Sequence, residues 1–158
     1  MGLFGITGGA RREDKLLGTG VWRRAHDRFG RGLDRFHQVL EGIESDELYN
    51  ALVVVANELA ELQPRLRAVC QEAQRVRPSS DFNIPGGPFS PVHRALSRAA
   101  NDLATAAQAA AMARLDAERL GLERGGLENV GRRAEAVAEG VHEAEAALAE
   151  ALSAGSRG

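Results

Sequence analysis

The sequence predicts an all-α protein, an antiparallel up-down-up-down four-helix bundle with long helices, a flexible N-terminal arm and a short C-terminal tail. Three observations lead there. Apolar residues recur in alternating steps of three and four in four separate stretches, the spacing of one stripe on an α-helix. No window alternates with period two for long enough to make a strand. The glycines, prolines and capping residues that end helices fall between the four stripes.

The first helix, about residues 20–44, has the stripe Trp22, His26, Phe29, Leu33, Phe36, Leu40 and Ile43. Thr19 is placed to cap it. The second, about 46–77, follows Ser45-Asp46-Glu47, a cap and two acids where the helix dipole favours them. Its stripe runs Leu48, Leu52, Val55, Leu59, Leu62, Leu66, Val69, Ala73 and Val76. The stretch from Arg77 to Pro91 contains four prolines and a Gly-Gly pair, which no helix survives. Ser90-Pro91 then opens the third helix, about 91–120, with Val92, Leu96, Ala99, Leu103, Ala106, Ala110, Ala113, Ala117 and Leu120 on its stripe. Gly121, Gly125 and Gly126 mark the turn into the fourth helix, about 127–152, striped by Leu127, Val130, Ala134, Val137, Val141, Ala144, Leu148 and Ala151. The expected organisation is a flexible arm over 1–18, one bundle domain over 19–153 and a frayed tail over 154–158. Such helices reach roughly 37 to 48 Å at 1.5 Å per residue. The low aromatic content, 4% against 44% hydrophobic, implies rings from the first helix packed against alanine and valine of the third and fourth. Amphipathic stripes do not specify whose core they enter, so self-association through helix faces stays open.

Composition sets bounds on function. The chain has 158 residues, 27 of them Ala and 19 Arg against one Lys, a GC-rich coding bias that suggests a bacterial source. A net charge of −2 argues against a nucleic-acid-coating protein. A single cysteine excludes an internal disulfide and a cysteine-only zinc site. No apolar run is long enough for a membrane span, and the opening segment has its charges after its apolar residues, the reverse of a secretory signal. The expected location is the cytoplasm.

Candidate chemistry is sparse. His26, Cys70, His93 and His142 all fall toward one end of the expected bundle, which raises a metal site, and Glu139-x-x-His142 matches half of a carboxylate-bridged di-metal motif. The third helix lacks the inward acid that such a centre needs, and no cofactor is expected. No phosphate loop, nucleophile elbow or dinucleotide fingerprint is present, so no enzyme activity is expected. The FNIPGGPF loop reads as a rigid connector with Phe82, Ile84 and Phe89 tucked onto the bundle end.

Charge is the more informative pattern. Arg24, Arg28, Arg31 and Arg35 form a row on the first helix, about 200° round from its stripe and facing away from the core. The fourth helix is acidic, with Glu135, Glu139, Glu143, Glu145 and Glu150. Local pairs such as Asp27–Arg31 account for part of the row. The expected role is therefore a helical protein-interaction or structural protein with an unknown partner. The alternative is a peripheral binder of anionic surfaces, using the row together with the arm residues Leu3, Phe4, Ile6, Arg11, Arg12 and Lys15.

Overall fold

The computed structural model describes residues 2–121 and 124–156, with side chains described over 9–121 and 126–156. The chain is all-α, and the described residues hold no strand. Among the described residues five helices follow in order: α1 (Gly2–Leu17), α2 (Val21–Glu41), α3 (Asp46–Val76), α4 (Ser90–Leu120) and α5 (Arg124–Ser156). A 3₁₀ turn, Gly87–Phe89, leads into α4.

Two departures from the sequence expectation lie at the ends. Residues expected to form a flexible arm are helical, and α1 packs on α3 and α2. Leu17 is fully buried, and the Arg67 guanidinium takes both carboxylate oxygens of Glu13 in a forked pair. That pairing holds the Glu13 carboxyl below the usual carboxylate range, chiefly through the hydrogen bonds from Arg67. Gly18, at φ +72°, then turns the chain into α2. At the other end α5 continues through Ser156, so the expected tail is helical as far as it is described.

The capping signals divide. Ser45 caps α3 by accepting from the Leu48 N–H at 3.3 Å, and Gly121 closes α4 in the left-handed region at φ +67°. Thr19 does not cap α2. The N-cap position is Gly20, and the Val21 N–H instead donates to Ser79 Oγ at 3.1 Å. A Cβ on Gly20 would meet Ser79 and the Asp81 backbone within 2.6 Å, so only glycine lets the connector cross here. Gly126 stands within α5 rather than in a turn, and Ser90 is the first residue of α4 rather than its cap.

Packing partners fix the helix order. Trp22 donates its indole N–H to the Arg77 carbonyl at 2.9 Å and Gly30 faces Gln63, so α2 and α3 are antiparallel. Between α2 and α4 the pairs rise together: Trp22 with His93, Arg28 with Asn101, Gly32 with Leu103 and Gly42 with Arg114. These two helices are parallel neighbours. Between α4 and α5 the order reverses, Ala99 on Gly140 and Ala113 on Gly126. Helix α5 also packs on α3, while α3 and α4 touch only weakly. The sequence expectation makes chain neighbours the spatial neighbours; here residues 77–89 are long enough to cross the bundle end and set α4 beside α2.

One apolar core runs through all of this. Trp22, Phe29 and Phe36 are each 0% exposed, and α4 contributes Ala95, Ala99, Ala106, Ala107, Ala110 and Ala113. Each ring truncated to alanine costs about 3–5 kcal/mol. Helices α4 and α5 approach backbone to backbone, so that a Cβ would lie 2.8 Å from Ala113 Cβ on Gly126 and 3.1 Å from Ala99 Cβ on Gly140. Gly140→Leu is expected to lower unfolding stability in urea by about 1–3 kcal/mol through overpacking. The exchange Ala99→Gly with Gly140→Ala moves one methyl across the seam and is expected to recover most of the stability. Equal losses from Gly140→Leu and a solvent-facing control such as Glu139→Leu would contradict the close seam.

Candidate functional site

The four candidate metal ligands are not brought together, and among the described residues no three His, Cys, Asp or Glu side chains are grouped as a metal requires. His26 sits at the α2–α3 edge with both ring nitrogens engaged. Arg67 Nη1 lies 3.2 Å from Nε2, and Nδ1 lies 3.0 Å from Asp27 Oδ1. Since arginine only donates, Nε2 accepts and Nδ1–H donates to Asp27. Cys70 is wholly buried, and burial pushes its thiol up to about 12, so it is held as S–H and not as the thiolate a metal binds. His142 is exposed on α5. His93 lies elsewhere again, in the crease between α2 and α4.

That crease is the most distinctive surface of the molecule. The arginine row, expected to face away from the core, lies along it because α4 is a direct neighbour of α2. Arg24 and Arg28 line a cavity of about 220 Å³ with His93, Ser97, Phe82 and Ile84. Arg31 and Arg35 line the next depression with Asp34 and Arg114. Arg24 stands over the Phe82 ring, 5.1 Å from its centroid, a cation–π contact. Arg28 donates to the Asn101 side-chain oxygen at 2.6 Å.

Ion pairs of the bundle bypass the row. Arg65 meets Glu145 at 2.5 Å and Arg98 meets Glu143 at 2.8 Å, so these two acids of α5 serve α3 and α4. Arg114 pairs with Glu118 at 3.0 Å. Asp27, expected to pair with Arg31, meets Arg23 at 3.1 Å instead. Among the described residues no ion pair includes Arg24, Arg28, Arg31 or Arg35. His93 registers the result: burial first, then the charges of Arg28 and Arg24, hold its pKa below the usual histidine value.

The connector also departs from expectation. Phe89 is buried with its ring 6.2 Å from Trp22, but Phe82 is 62% and Ile84 71% exposed. They form an apolar lip at the cationic end of the crease. Sequence reasoning reached the four arginines. It missed the partners that make a site of them, His93, Ser97, Phe82 and Ile84, because only the α2–α4 adjacency joins them. Helix α1 lies on the α3 side of α2, so the arm and the arginine row stand on different sides of that helix. No helix of the described residues is long and apolar enough to cross a membrane. Compared with protein-family models, curated proteins and solved structures, the chain gives no match.

The buried thiol gives a direct check. A group whose folded pKa is raised, as that of Cys70 is from 9.0 to about 12, contributes stability present below its unfolded pKa and lost as pH rises past it. Native protein at pH 8 is expected to resist a thiol reagent until unfolded, and stability is expected to fall between pH 9 and 12 less steeply in Cys70→Ala than in wild type. Labelling of native protein at the rate of a free thiol would contradict the burial.

Proposed function

We propose that this protein is a non-enzymatic helical interaction protein of the cytoplasm, with the α2–α4 crease as its contact face for an acidic protein partner. The four long helices α2–α5, alternating up and down along the chain, serve as the rigid scaffold in this reading. The observation that carries it is the clustering of Arg24, Arg28, Arg31 and Arg35 along one crease, with no carboxylate paired to any of them among the described residues. Unpaired guanidiniums along one crease favour forked contacts to carboxylates. An isologous dimer through this face would set arginine against arginine, so an acidic partner fits better than a second copy.

The test is cross-linking capture from cells with wild type, with R24E/R28E/R31E/R35E, and with R132E/R133E on α5 as the control reversal. One stoichiometric acidic partner is expected on wild type and control, and lost from the row variant. Equal capture on all three contradicts the reading, as does a turnover found for the purified protein with no partner captured.

A second reading is favoured by the exposed Phe82 and Ile84 beside Arg24. An apolar lip next to cations is what a peripheral binder presses into an anionic membrane surface. On this reading the row and lip act without α1. Sedimentation with phosphatidylglycerol vesicles is expected to be salt-sensitive and to be lost in the row variant; binding indifferent to salt contradicts it.

A further inference from the structure

We propose that the cavity at the Phe82 end of the crease is a binding site for a small organic anion, an acidic head group on a short aromatic or apolar body. The site is distinct from partner docking along the whole row, since it uses only Arg24, Arg28 and their immediate neighbours. Three basic side chains, Arg24, Arg28 and His93, line one cavity with the Ser97 hydroxyl, and no carboxylate is in its lining. Neither arginine has an ion-pair partner among the described residues, and both act on His93 through their charge. A bound anion would supply the missing negative charge.

The apolar half of the cavity is equally defined. Phe82 and Ile84 overhang it while Val21 and Ala25, both buried, form its floor. The lip is held from behind, because Ser79 is tied to Val21 N–H and to the Asp81 carbonyl, and Asn83 N–H donates to Asp81 Oδ1. The cavity volume of about 220 Å³ lies below the roughly 300 Å³ at which pockets for drug-sized ligands begin. That suits a single ring with one acidic group. Neutral His93 can donate or accept to the head group, and each good charge-assisted contact is worth about a factor of ten in affinity.

Trp22 is the chain's one tryptophan, and its ring lies 6.3 Å from that of His93, so the site has a built-in reporter. Full-length protein is titrated with phenyl phosphate, benzoate, benzamide and inorganic phosphate, following Trp22 emission and the His93 ring resonances against pH. Saturable binding of phenyl phosphate or benzoate is expected, with His93 titrating at higher pH when the site is filled. R28Q or R24Q is expected to weaken binding about tenfold or more, and Phe82→Ala to weaken phenyl phosphate toward inorganic phosphate. R31Q/R35Q is expected to leave it unchanged.

Three outcomes overturn the proposal. Benzamide binding as well as benzoate would reduce the site to an apolar crevice. Equal losses in R31Q/R35Q and R24Q/R28Q would reduce it to a diffuse positive field. Binding to phosphatidylglycerol vesicles with no response to free phenyl phosphate or benzoate would assign the lip to a membrane surface. None of these depends on whether a protein partner is captured, so the two readings fail separately.

Discussion

Close contact between α4 and α5 is the constraint on which the other helices depend. Gly126 and Gly140 on one side and Ala113 and Ala99 on the other leave no room for a larger residue. Dispersion falls off steeply with a gap of even half an ångström, so this pair gains its attraction only by approaching backbone to backbone. Having done so it offers a wide alanine face and few large side chains. The rings that fill the remaining space must come from outside the pair, and Trp22, Phe29 and Phe36 of α2 supply them. Large against small is how the core reaches interior density with so few aromatics.

The placement of α2 on α4 has an electrostatic consequence. Acids of α5 neutralise Arg65 and Arg98 across its two interfaces, but α5 does not lie against α2. The arginines of α2 therefore face α4, whose nearby polar groups are Asn101, Ser97, His93 and an Arg114 already paired with Glu118. The positive crease thus follows from helix order. On the other flank of α2, Arg67 joins Glu13 and His26 and fastens α1 down.

Much of the fold was legible in sequence because the apolar stripes are strong in four of the helices. The ambiguities have an identifiable source. Starting from Trp22, both Ala25 and His26 lead to Phe29 by steps of three and four, in opposite order, and the periodicity cannot choose between them. The structure buries Ala25 and places His26 at the edge, where its ring bonds to Asp27 and Arg67. Leu52 reaches Leu59 through Val55 or Ala56 in the same way, and Ala56 is the buried one. Helix α1 was not legible as a packed element because its attachment is tertiary, through Leu17 and the Glu13–Arg67 pair. The crease was half legible: its arginines show as a row, but its histidine and its apolar lip belong to segments more than fifty residues from Arg24 and Arg28.

Everything said of the crease rests on α2 and α4 being parallel neighbours. The most direct measurement is of nuclear Overhauser effects across that interface. The structure predicts strong effects from the Gly32 α-protons to the Leu103 methyls, together with effects between the Trp22 and His93 rings. Both must appear, since only parallel neighbours bring the two pairs together. Their absence, with Gly32 reporting instead on side chains of α5, would place α4 across the diagonal from α2 and dissolve the crease.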